Sequence, residues 1–164
     1  GKLVPSTLGR NFRQKPTAPS GGGGLVSTAA DYLRFCEALR GGGALGEVRL
    51  LGPKTLALMR ANHLPGGRDL ADLSVSMFSE ASYQGVGFGL GFAVRTDVGR
   101  NPLPGTPGDY YWGGAYGTYF WHDPRERLFV VYMMQSPKQR VPHRAALREL
   151  VYGAVTDAKV AAGK

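Results

Sequence analysis

The sequence predicts an α+β fold of the α/β sandwich type, an antiparallel three-stranded meander packed against helices. Three observations carry that prediction. Three apolar segments follow one another between Val86 and Gln135, separated by turn-forming residues. Segments of helical periodicity lie before and after them. Fourteen of the 25 glycines gather at Gly21–Gly24, Gly41–Gly43, Gly85–Gly91 and Gly113–Gly117, where the chain has to turn tightly or approach its own backbone. A length of 164 residues fits one domain, and 43% hydrophobic with 20% charged residues excludes disorder as the main state.

The elements follow in order. Residues 1–20 hold Pro5, Pro16 and Pro19 and read as an extended lead-in. Ser20 to Gly24 resembles a flexible linker, but it runs straight into a helix start and reads as a structural turn. Thr28-Ala29-Ala30-Asp31 is a capping-box pattern. Tyr32, Leu33, Cys36 and Leu39 then share one helical face, and Gly41 stops the helix at Arg40. A short apolar run, Val48 to Leu51, precedes Gly52-Pro53, which opens a second helix ending near Asn62–Leu64. Residues 65–84 lack a clean period and read as a long loop with one short element.

Val86, Phe88, Leu90, Phe92 and Val94 alternate with Gly87, Gly89, Gly91 and Ala93, which reads as one strand from Val86 to Val94 with a bare face. Thr96 to Gly108 is a turn-rich connection. Tyr110 to His122 reads as a second strand interrupted by Gly113, Gly114 and Gly117. Asp123 to Arg127 is a hairpin loop, and Leu128 to Gln135 is a third, central-looking strand. Pro142 opens a last helix running to about Lys159, with Leu147, Leu150, Val151, Ala154 and Ala158 as its apolar stripe. Three strands with helices on one face leave at least one edge unpaired, so further strands from elsewhere are expected.

Composition excludes several functions. No run of 18 apolar residues is present, so no membrane span is expected. Gly1-Lys2-Leu3-Val4-Pro5 lacks the apolar core of a secretory signal. The net charge is +8, but the arginines are scattered and form no stripe or arm, so nucleic acid is not the expected partner. One cysteine, Cys36, fits a reducing, cytoplasmic setting and reads as a buried structural residue rather than a nucleophile. His63, His122 and His143 have no ligand-like spacing, so no metal and no cofactor is expected. His122, just before a turn, is a weaker candidate for touching a ligand.

The chemistry-bearing segment is Tyr111-Trp112-Gly113-Gly114-Ala115-Tyr116-Gly117-Thr118. Consecutive glycines weaken a strand, yet they suit one along which a ligand lies, with a free N–H facing a developing oxyanion. A bulged, aromatic-rich core strand explains the same residues equally well. Ser20-Gly-Gly-Gly-Gly-Leu-Val-Ser-Thr-Ala-Ala-Asp-Tyr-Leu-Arg-Phe, Leu51-Gly-Pro-Lys-Thr, Gly87-Phe-Gly-Leu-Gly-Phe and Trp112-Gly-Gly-Ala with Thr118-Tyr-Phe-Trp-His-Asp-Pro resemble, in order and spacing, the C-terminal half of the serine β-lactamase-like and penicillin-binding-protein superfamily. Within it the likeness is to class C-like carboxylesterases, also called family VIII esterases, and it covers about residues 18–157.

The resemblance implies an incomplete β-lactamase-like α/β domain over 21–160, with 161–164 a tail. It implies that Trp112-Gly113-Gly114 is the third motif of an acyl-transfer site. The Ala115 backbone N–H would be an oxyanion donor, Gly113 and Gly114 would let substrate approach, and Tyr111, Trp112 and Tyr116 would wall the site. The superfamily's nucleophile motif, S-x-x-K, and its Y-x-N motif are absent from these 164 residues. The expectation is therefore a C-terminal fragment of a serine hydrolase, acting on a small ester or β-lactam only together with the missing half. The alternative is a non-catalytic module that docks or forms a homo-oligomer through its open sheet edge.

Overall fold

A computed structural model describes residues 14–15, 17–18, 20–73 and 83–156. The expected tail at 161–164 and most of the lead-in lie outside the described residues. Four helices are described: α1 (Ala29–Arg40), α2 (Pro53–Met59), α3 (Leu70–Leu73) and α4 (Arg140–Gly153). The strands are β1 (Ala44–Leu45), β2 (Val48–Arg49), β3 (Val86–Phe88), β4 (Ala93–Arg95), β5 (Tyr110–Gly113), β6 (Tyr119–Asp123) and β7 (Leu128–Tyr132). β1 and β2 form a small hairpin, and β3 to β7 form one antiparallel sheet in sequence order.

The mixed fold and the meander stand, but the strand count is corrected from three to five. The segment predicted as one strand from Val86 to Val94 is the β3–β4 hairpin. Gly91 takes φ +94° at its tip, the Gly89 N–H reaches the Phe92 carbonyl, and Leu90 is about half exposed. Bulky residues alternating with glycine mimic a strand, while the same glycines allow the reversal. Tyr110 to His122 likewise divides into β5 and β6 around a turn at Gly114–Gly117, where Gly117 takes φ +114°.

Helices cover both faces of the sheet rather than one. On the first face Cys36, Leu39 and Leu56 from α1 and α2 pack with Phe92, Val94, Tyr110 and Phe120. On the second, Leu147, Val151 and Tyr152 of α4 pack with Val86, Ala93, Tyr111, Tyr119 and Trp121. Cross-strand register explains the split: Tyr110 pairs with His122 and Tyr111 with Trp121, so neighbouring residues face opposite layers. The N-cap half of the expected box forms, with Thr28 Oγ1 accepting from the Asp31 N–H at 3.1 Å, while the Asp31 carboxylate accepts from the Thr28 hydroxyl at 2.9 Å.

α2 ends at Met59, earlier than its periodicity implied, because the following residues bond the outer edge of β3. Asn62 Oδ1 accepts from the Phe88 N–H at 3.1 Å, and the His63 N–H donates to the Phe88 carbonyl at 2.8 Å. Asp69 Oδ2 accepts from the Gly85 N–H at 2.9 Å, just before that strand. One edge of the sheet is thus closed by side chains and loop backbone. β7, at the other edge, pairs only with β6 among the described residues, and all five of its residues are half-buried.

The expected stripe on α4 is also corrected. Leu150 is 73% exposed, and Ala158 lies outside the described residues. The buried face instead runs through Arg144, Leu147, Arg148, Val151 and Tyr152, still at helical spacing. Arg148 is 1% exposed and donates to Asp109 Oδ2, to the Pro104 carbonyl and to the Tyr119 hydroxyl. Arg95 donates from Nε to the same Asp109 oxygen at 2.8 Å and from its other nitrogens to the Leu103 and Pro104 carbonyls. Tyr111, Trp121 and Tyr152 surround the Arg148 guanidinium at 5.3–5.6 Å. Gly105 is required here, since a Cβ on it would collide with the carboxylate and both guanidiniums.

Candidate active site

β5 and the turn after it carry the chemistry-bearing segment. Trp112 is 37% exposed and meets Phe88 edge-to-face at 5.1 Å. Gly113 ends the strand, paired with Tyr119. The chain then reverses in a turn closed by the Gly117 N–H on the Gly114 carbonyl at 3.0 Å, with the Gly114 N–H on the Thr118 carbonyl at 2.8 Å. Ala115 and Tyr116 are its central residues. Ala115 is exposed, and its N–H makes no hydrogen bond to any described residue. Tyr116 is half-buried, and its carbonyl is held by the Ser136 N–H at 2.8 Å, beyond the end of β7.

The glycines have a reason the sequence did not reveal. The Arg144 guanidinium lies against the bare Cα of Gly113, where a Cβ would stand 2.5 Å from its central carbon. A Cβ on Gly114 would strike the Thr118 hydroxyl. Both positions are therefore filled from within the chain on that side, and neither leaves a gap there for a ligand.

A family model described as Beta-lactamase matches residues 3–153. This chain belongs to the beta-lactamase family. Protein Rv1367c of Mycobacterium tuberculosis (strain H37Rv) is 40% identical over 137 residues, which is 82% of this chain and 33% of that protein. Esterase EstB of Burkholderia gladioli is 33% identical over 137 residues, 82% of this chain and 31% of the esterase. Among solved structures, EstCE1, a hydrolase with promiscuous acyltransferase activity, superposes with a TM-score of 0.64 at 31% identity, over 89% of this chain and 36% of that one. The beta-lactamase-family chain thus spans about a third of the curated relatives it matches. Its mixed helix-and-sheet fold is shared with EstCE1. No helix among the described residues is long and apolar enough to cross a membrane.

Within this beta-lactamase-family chain the expected site residues separate. Trp112, Ala115 and Tyr116 gather at one end of the β5–β6 hairpin. Tyr111 points to the opposite outcome: it is 6% exposed, meets Tyr119 edge-to-face at 5.8 Å and lies under Arg148 of α4. It is a packing residue here, with no surface left to wall a site. Arg144 and Thr118 belong to the turn and were missed. An arginine on an amphipathic helix reads as solvated by default, and only the bare Gly113 hinted at something close.

Two other candidates are settled by burial. Cys36 is 2% exposed, and burial pushes its thiol up to about 11, away from nucleophilic use. His122 is 4% exposed and pairs through Nδ1 with the Tyr110 hydroxyl at 2.7 Å. Burial, helped by the nearby Arg60 charge, lowers its imidazole from 6.5 to about 4. The folded chain therefore takes up this proton only near pH 4, whereas the unfolded chain takes it up near its ordinary value. Stability from this group is full above the ordinary value and is lost as pH falls toward about 4. Between about pH 7 and 4.5, the wild-type chain should lose on the order of 2–3 kcal/mol more than His122→Gln in urea unfolding. Parallel pH profiles for the two proteins would refute this.

Proposed function

We propose that this chain supplies one wall of a serine-hydrolase acyl-transfer site, with the Ala115 N–H as an oxyanion donor and Trp112 and Tyr116 beside it. The nucleophile comes from polypeptide outside this sequence. Attack of a serine Oγ on an acyl carbonyl moves negative charge onto the carbonyl oxygen, and a fixed N–H aimed at that oxygen lowers the barrier. The observation that carries the reading is that Ala115 is exposed, its N–H has no partner among the described residues, and it sits on a turn tied down at both ends. Support comes also from the names of two relatives, an esterase and a hydrolase with acyltransferase activity. A small ester is the substrate class they favour, with a β-lactam as the family's other option.

The test removes one atom group. Ala115 is the second residue of its turn, a position that accepts proline, so Ala115→Pro deletes the N–H while the backbone can keep its course. Joined to the part of the protein that carries the nucleophile, the variant should lose about 10²- to 10³-fold in kcat on a p-nitrophenyl ester. An unchanged kcat would dismiss the oxyanion role.

A further inference from the structure

We infer that Arg144 is the positioning residue of the oxyanion donor, acting through the peptide bond between Gly114 and Ala115; this rests on the acyl-transfer reading above. Arg144 stands in α4, 30 residues after the turn, and is 4% exposed. Its Nη2 donates to the Gly114 carbonyl at 2.6 Å and to the Thr118 carbonyl at 2.9 Å. Its guanidinium lies against Gly113 and 5.3 Å from the Tyr119 ring centre. One side chain therefore holds the strand end, the first carbonyl of the turn and the carbonyl at which the next strand resumes.

The Gly114 carbonyl and the Ala115 N–H belong to a single peptide unit. That unit is planar and trans, so its C=O and N–H point in opposite directions. Fixing the carbonyl toward Arg144 fixes the N–H on the side away from it. The same contact acts electronically. A cation on the carbonyl oxygen draws electron density through the amide and makes its N–H a stronger donor, as in any chain of hydrogen bonds. The Gly117 N–H on the same carbonyl adds to both effects. Gly113 is bare for this purpose, because any side chain there would displace the guanidinium.

A positioning role has a kinetic signature. Donor strength toward the oxyanion changes kcat, whereas ground-state binding through Trp112 and Tyr116 is left intact. In the nucleophile-bearing protein, Arg144→Met should lower kcat about 10- to 100-fold with KM changed less than about threefold. Arg144→Lys should recover part of the loss, since an ammonium can reach a carbonyl but lacks the planar fork. Leu147→Ala, on the same helix but with no polar group to offer the turn, is the control for instability: it should lower the melting temperature and leave kcat per folded molecule unchanged.

The outcomes separate the two readings. If Ala115→Pro and Arg144→Met both depress kcat with KM held, the inference stands. If Ala115→Pro depresses kcat and Arg144→Met does not, the inference is overturned and the acyl-transfer reading survives. If Ala115→Pro has no effect, the oxyanion reading falls and takes the inference with it. Should Arg144→Met fail to fold, Arg144→Lys alone decides: wild-type kcat overturns the inference, and a lowered kcat at constant KM supports it.

Discussion

Asp109→Asn should destabilise the fold by about 3–5 kcal/mol, because it leaves two buried guanidiniums without their counter-charge. Arg95 and Arg148 both reach one oxygen of Asp109, and all three side chains are at most 2% exposed. The group ties α4 to β4 and to the loop before β5, with the Pro104 carbonyl shared between the two arginines. Asparagine keeps the shape and loses the charge, so packing changes little and electrostatics changes most. Urea unfolding at neutral pH is the measurement, and a loss under about 1 kcal/mol would show that the carbonyls alone compensate the cations. A second arm separates the parts: replacing all three residues together by apolar ones of similar volume should recover most of the loss, since the cost lies in breaking the set.

The second large effect concerns turnover. The 164-residue chain by itself should give no burst and no steady hydrolysis of an activated ester, because neither S-x-x-K nor Y-x-N occurs in it. Adding the nucleophile-bearing remainder as a separate polypeptide should switch hydrolysis on, with a rate that saturates as that remainder is titrated. The open edge of β7 and the exposed Leu25 and Val26 (98% and 73% exposed) are the surfaces such a partner would cover. Burst kinetics from the rigorously purified chain alone would overturn the expectation. A dimer that resists the added remainder would favour the assembly reading over the catalytic one.

How much of this was legible in the sequence depends on the residue type. Hydrophobic patterning located α1 and α2, because their buried positions are apolar, and it found β7 but read it as central, whereas β7 is the edge of the sheet with every residue half-buried. It failed where glycine stood in for a side chain: Gly89 and Gly91 kept the alternation of a strand while making a hairpin. It failed again on α4, where Arg144 and Arg148 occupy core positions that pattern reading assigns to solvent. Burying a guanidinium requires acceptors, and these come from Asp109, Gly114, Thr118 and Pro104, far away in the chain. No local signal announces a partner some 30 residues distant. The W-G-G segment was found by resemblance, whereas its neighbour Arg144 became visible only in three dimensions.

The two sheet edges are unequal, one closed by Asn62, His63 and Asp69 and one, along β7, with no neighbouring strand beyond it among the described residues. That inequality sets a limit on self-association. A filament of stacked sheets requires every copy to offer two docking borders, one for the copy before and one for the copy after. Among the described residues, this sheet has a single border to offer. Two copies meeting β7 to β7 would satisfy each other around a two-fold axis and present nothing to a third. Strand addition through the described edges would therefore stop at two copies, and sedimentation showing species larger than a dimer that depend on β7 would overturn this. Cutting the Asn62 and Asp69 contacts would restore the second border.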